Sequence, residues 1–245
     1  MRFWIAFLWF LVSFCPVGPC LATEFSDFFS GSGLDAKWTA MDPYGGTGSA
    51  SVGDGYLSLS MAKTGDMPFV LQNDSLGSSF DIRVAVYLPS LPSGAMFQIR
   101  VMPQWSDMSQ SISVVYNSAL DGSLLRSDYV GGHSYDGSPA DLSGQQNFYV
   151  RLLAVSGVVV CSYKVNPSDE WTVLAANTTN LTLTTIPIDF GFLGYSASGS
   201  QVIDVDWVVE DGEYSGYPST EPSPPAPETS NVPETVLGFV QLIWP

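Results

Sequence analysis

Between residues 56 and 210 the chain is written in short runs of β-branched, aromatic and other apolar residues, broken by clusters of Gly, Ser, Asp and Pro. Almost nowhere do apolar residues recur every three to four positions, the period a helix needs to present an apolar stripe. A strand needs alternation instead, because successive side chains point to opposite faces. The segment 79–88 has it: Phe80, Ile82, Val84 and Val86 alternate with Asp81, Arg83 and Ala85. On this pattern eleven strands are expected, at 56–61, 69–72, 79–88, 95–102, 111–116, 124–130, 147–154, 157–164, 171–175, 188–195 and 201–210. Strands with one apolar face must be covered on that face. The fold class that follows is all-β, a two-sheet antiparallel β-sandwich, and the strand number suits a jelly roll better than the smaller immunoglobulin fold.

The N-terminus obeys a different rule. Residues 3–14, FWIAFLWFLVSF, form an uncharged apolar run behind Arg2, ended by Pro16, Gly18 and Pro19. A membrane span needs roughly 20 apolar residues, so this run, followed by Cys20-Leu21-Ala22, reads as a secretory signal peptide over residues 1–22, cleaved after Ala22. Acylation of Cys20 is the alternative, although Pro19 fits poorly before a lipidated cysteine. The β-sandwich is then expected over 23–214, secreted or at the cell surface.

Export leaves seven basic residues against 24 acidic ones, a net charge of −17 with His neutral. Such a surface repels phosphate backbones and anionic headgroups, which disfavours nucleic-acid and membrane-surface binding. The acids serve solubility, and some could hold Ca²⁺. Of the three cysteines, Cys15 and Cys20 fall in the signal, so the mature chain has Cys161 alone and no intramolecular disulfide. Cys161 lies in the apolar run VSGVVVCSY and is expected to be a buried structural thiol. Stability must come from the core.

After Tyr214 the composition turns to Pro, Ser, Thr and Glu over 215–235, an extended linker, and then to the apolar tail VLGFVQLIWP over 236–245. Ten residues are too few to span a bilayer. The tail reads as the start of an anchor or a further module, as a docking peptide, or as a frayed end.

Several segments, taken in order, resemble the concanavalin A-like lectin/glucanase superfamily, and within it the laminin-G-like modules of secreted bacterial-type proteins. These are FSDFFSGSGLDAKWT (25–39), DGYLSLS (54–60), NFYVRLLAVSGVVVCSYKVNPSDEWTVLA (147–175) and IDFGFLGYSASGSQVIDVDWVVE (188–210). The resemblance covers about residues 25–211. It implies a jelly roll whose first and last strands pair, with loops or a concave sheet facing glycans. It does not imply catalysis, since such a fold hosts lectins, enzymes and spacers alike.

Catalytic relatives carry E-x-D-x-x-E or E-x-D-x-E on one strand. The nearest approach is DVDWVVE (204–210), where plain alternation would put Asp204 and Asp206 on one face about 7 Å apart, with Glu210 about 13 Å beyond Asp206. Its identities, spacing and position in the closing strand depart from the catalytic pattern, and it is read as structural. His133 is the only histidine, which excludes a multi-His zinc site, and no G-x-S-x-G elbow exists. His133 lies in VGGHSYDGSPAD (130–141), read as a solvated Gly-rich loop that gathers Tyr129, His133, Tyr135, Asp136 and Asp141. Aromatic faces beside short acceptors suit a pyranose, with its apolar C–H face and fringe of hydroxyls. Trp105 is the candidate exposed tryptophan, whereas Trp38, Trp171 and Trp207 are expected in the core. No EF-hand spacing is present. Asn73, Asn177 and Asn180 begin N-x-S/T sequons and are read as plain turn residues. The expectation is a non-catalytic glycan-binding or adhesive module acting on a polysaccharide or glycoconjugate. A divergent glycoside hydrolase or polysaccharide lyase, or a structural spacer, are the alternatives.

Overall fold

A computed structural model of the chain describes residues 26–210 apart from 43–44, 75, 78, 91–92, 103–110, 119–122, 131–133, 156–157 and 178–187. The expected signal peptide, linker and apolar tail lie outside the described residues. Among the described residues fifteen strands are present: β1 Ser26–Asp27, β2 Trp38–Met41, β3 Ser49–Gly53, β4 Tyr56–Met61, β5 Phe69–Gln72, β6 Phe80–Tyr87, β7 Ala95–Met102, β8 Ser111–Asn117, β9 Leu124–Val130, β10 Ser134–Asp141, β11 Asn147–Val155, β12 Val158–Lys164, β13 Thr172–Asn177, β14 Asp189–Ser196 and β15 Gln201–Glu210. All eleven expected strands occur, their ends shifted by two residues at most.

The strands form two antiparallel sheets. One has the order β13-β12-β11-β6-β15-β4-β3, with β1 beside β15 as its eighth strand; the other runs β10-β9-β8-β7-β14-β5-β2. The first and last strands pair, Ser26 opposite Val209 and Asp27 opposite Val208. Leu57, Ile82, Val84 and Leu152 from the eight-stranded sheet meet Phe97, Ile99, Val114 and Phe192 from the seven-stranded one in a single core. This is a jelly-roll β-sandwich of the concanavalin A type.

Trp38 ties the start of the chain into that core. Its ring lies 5.9 Å from Phe29, 6.2 Å from Phe190 and 5.6 Å from Phe192, and its Nε1–H donates to Asp27 Oδ2 at 2.7 Å. Cys161 is fully buried, and burial pushes its thiol up to about 12, so it is an inert core residue as expected.

Asp66 sits wholly out of solvent in the turn after β4. Burial alone would raise its pKa, but the backbone N–H groups of Thr47, Ala62 and Lys63 and the Thr47 hydroxyl all donate to its carboxylate and hold it at about 2. The folded pKa lies below the ordinary 3.8, so the stabilisation is complete above pH 4 and is lost as pH falls toward 2. Urea midpoints recorded across that window are expected to fall with pH in the wild type. In Asp66→Asn they start lower and fall less steeply.

Candidate functional site

Trp105 and His133 lie outside the described residues. The other four sequence candidates sit on the hairpin at one edge of the seven-stranded sheet. There Tyr129 pairs with Ser134, Tyr135 with Asp128 and Asp136 with Ser127, while Asp141 pairs with Leu124 at the far end. The segment read as one Gly-rich loop is therefore mostly strand β10, and only 131–133 separates it from β9. Edge position explains the misreading: an outer strand tolerates Pro139 and Gly137, which a central strand would reject. The strand also parts the candidates. Tyr129, Tyr135 and Asp136 stay at the turn end, and Asp141 lies three to five strand rises, roughly 10–17 Å, along β9 from them. Asp141 is exposed, and hydrogen bonds from Ser143 hold its carboxyl below the usual range.

The hairpin continues into a larger feature. Register carries one row across the sheet through Tyr135, Asp128, Ser113, Arg100, Gly191 and Leu71, and the next through Arg126, Val115, Gln98, Leu193 and Phe69. The neighbours of these residues in sequence, among them Ile99, Val101, Ile112, Val114 and Leu125, fill the core, so Leu71, Arg100 and Ser113 of the first row and Phe69, Gln98, Val115, Arg126 and Leu193 of the second occupy the outward face. Polar residues here are nevertheless buried: Gln98 is 7% exposed, Arg100 8%, and Ser111, Ser113 and Asn117 are fully enclosed. Gln98 Nε2 lies 3.0 Å from Met96 Sδ, and among the described residues neither Gln98 Oε1 nor the Ser111 hydroxyl has a hydrogen-bond partner.

The other half of the same face is apolar. Phe69, Met102 and Leu193 are buried there, flanked by Met41, Met67, Leu71 and Tyr195, and separate from the main core. One face thus carries hydrogen-bonding groups over β7, β8 and β9 and hydrocarbon and aromatic groups over β5 and β14, with the thioethers of Met41 on β2 and Met102 on β7 beside them. A pyranose presents those two surfaces, hydroxyl edge and C–H face, side by side. Among the described residues no three Asp, Glu, His or Cys side chains converge to hold a metal ion.

The Asp204–Glu210 segment lies on the eight-stranded sheet. A bulge between Val205 and Trp207 makes Asp206 the extra residue, so the plain alternation expected for Asp204 and Asp206 is interrupted. Burial raises the pKa of both carboxyls, against a hydrogen bond from Ser58 in the case of Asp204. Trp207 is buried, yet on the outward face, 6.0 Å from the Tyr149 ring, and it does not belong to the core cluster. Trp171, also expected in the core, is half-buried ahead of β13, with Lys164 Nζ 4.9 Å and Arg151 Cζ 5.9 Å from its ring centre. Polar residues alternating with apolar ones on β11 and β12 bring those cations to the outside, and the tryptophan follows them. Trp38 is in the core as expected. Asn73 is a turn residue, its amide bonded to the Ala36 carbonyl and to the Thr39 hydroxyl; Asn177 ends β13, and Asn180 lies outside the described residues.

Comparison with solved structures agrees with the class of fold. The Ca²⁺-bound exoplasmic/lumenal domain of VIP36 is similar at a TM-score of 0.56 and 10% identity, over 82% of this chain and 95% of that one. The Crh5 transglycosylase gives 0.57 and 14% over 78% and 84%. The Bacteroides ovatus xyloglucan PUL GH43B gives 0.58 and 13%, over 76% of this chain but 38% of that one. At these identities the likeness is one of fold. No protein-family model and no curated protein matches the sequence.

Proposed function

We propose that this chain is an exported, non-catalytic carbohydrate-binding or adhesive module, laminin-G-like in organisation, that holds a polysaccharide or glycoconjugate on the outward face of its seven-stranded sheet. The observation that carries the proposal is the division of that face into the Gln98–Arg100–Ser113–Asn117 polar half and the Phe69–Met102–Leu193 apolar half. Tyr135 continues the register row of Asp128 and Ser113 onto the adjoining hairpin, with Trp105, Tyr129, His133, Asp136 and Asp141 as further candidate contacts. The fold supports the reading, since VIP36 domains of this fold have been solved with Man2 and Man3GlcNAc bound. Residues 1–22 would direct export, residues 215–235 would act as a stalk, and 236–245 could serve as part of an anchor.

A glycan array probed with the chain from residue 23 onward, in millimolar Ca²⁺ and again with chelator, tests the proposal. Saturable binding to at least one saccharide class is expected, with Gln98→Ala weakening it roughly 5- to 30-fold for a lost buried hydrogen bond. Binding to no saccharide would leave the spacer reading. The enzymatic alternative draws on Asp204 and Asp206, both with raised pKa on one strand. Reducing-sugar release from β-glucans, abolished by Asp206→Ala, would establish it in place of the non-catalytic reading.

A further inference from the structure

On the sheet opposite the proposed glycan face, Tyr56 and Tyr87 bring two carboxylates between them. Asp204 pairs with Tyr87 on one side and with Ser58 on the other, and Val205 pairs with Leu57, which sets the bulged Asp206 beside Tyr56. Leu57 and Leu59 point into the core, so Tyr56 faces outward. The two tyrosine rings are 5.6 Å apart and inclined at 32°, both half-buried.

Among the described residues the charges in this corner face no cation, and Ser58 alone hydrogen-bonds Asp204. Among the described residues neither Asp204 nor Asp206 is in an ion pair, and Asp204, only 7% exposed, has one carboxylate oxygen without a hydrogen-bond partner. The cations of the same face are committed elsewhere. Arg83 and Arg151 hold Asp81, and Lys164 lies over Tyr149 and Trp171 and donates to the Pro167 carbonyl. Two partly desolvated carboxylates beside aromatic faces favour a cation from both sides, by Coulomb attraction and by the ring quadrupoles. Calcium needs six to eight oxygen ligands, more than two carboxylates supply. An organic cation, satisfied by ring faces and a pair of acids, fits better.

We propose that the corner formed by Tyr56, Tyr87, Asp204 and Asp206 binds an organic ammonium group, as carried by an amino sugar or by a lysine side chain. Choline and its neutral isostere 3,3-dimethylbutan-1-ol separate charge recognition from shape. In an NMR titration of the chain from residue 23 onward at low salt, choline binds saturably and the isostere roughly tenfold more weakly. Tyr87→Leu weakens choline roughly 3- to 30-fold, the range of a lost cation–π contact, whereas Tyr87→Phe keeps the ring and retains binding. Asp206→Asn removes a desolvated charge, keeps the thermal midpoint and weakens choline, which separates loss of the site from loss of the fold. A glucosamine oligomer and trilysine then distinguish the two sources, and preference for either supports the shared chemistry. Equal affinity for choline and its isostere, displacement by Ca²⁺ with no effect of Tyr87→Leu, or no saturable choline binding would each overturn it.

Discussion

Replacing Asp81 by Ala is expected to destabilise the domain by about 3–5 kcal/mol, the cost of leaving buried charges without their counter-ion. Asp81 is 5% exposed and faces two guanidiniums that are equally enclosed, Arg83 at 3% and Arg151 at 6%. Arg151 grips it with two bonds, Nε to Oδ1 at 2.6 Å and Nη2 to Oδ2 at 2.7 Å, while Arg83 Nη2 reaches Oδ2 at 2.9 Å. The parallel, charge-assisted pair from Arg151 is the strong geometry of this interaction. It crosses from β11 to β6, two central strands of the eight-stranded sheet, so losing the carboxylate removes three buried, charge-assisted hydrogen bonds at once. Urea unfolding of Asp81→Ala measures the loss. Replacing all three residues by apolar ones of similar volume is expected to cost much less, because the desolvated charges go together.

The second large effect is at Trp38. Trp38→Ala is expected to cost about 3–5 kcal/mol, the usual range for emptying a buried aromatic site. The indole touches Phe29, Phe190 and Phe192 and donates its N–H to Asp27, so its removal opens a cavity and releases β1 from the closing strand. Trp38→Phe fills part of that volume and is expected to recover part of the loss, leaving the hydrogen bond to Asp27 unmade. Thermal unfolding of the two variants side by side distinguishes packing from the hydrogen bond.

The fold was legible where strands have one clear face. Eleven central or well-patterned strands were read within two residues of their ends, since each either alternates apolar and polar residues, as YLSLSM and FDIRVAVY do, or is an apolar run bounded by turn residues, as FVLQ is. The strands that escaped, β1, β2, β3 and β10, are short or lie at sheet edges, where one side of the ladder is unpaired and Ser, Gly, Asp and Pro are tolerated. That is why SYDGSPAD read as a loop. The outward faces were not legible for a different reason. Gln98, Arg100, Ser113 and Asn117 each look like ordinary solvent-facing residues of an alternating strand, and only the register of β7, β8 and β9 aligns them. The one signal in the sequence was that SISVVYN and AMFQIRVM place small or thioether groups beside these polar ones. Likewise the β4 register that sets Asp206 beside Tyr56, and the bulge against β6 at the same residue, depend on β15 being paired on both sides, which no single segment reports.

The central claim is that saccharide binds on the outward face of the seven-stranded sheet, and backbone NMR shifts recorded while a saccharide selected on the array is titrated in test it most directly. The perturbed amides are predicted to cluster at residues 96–102, 111–117, 124–136 and 189–195, with the Tyr56–Tyr87 corner unchanged by a neutral sugar. Shifts confined to the eight-stranded sheet, or none for any saccharide, would contradict it.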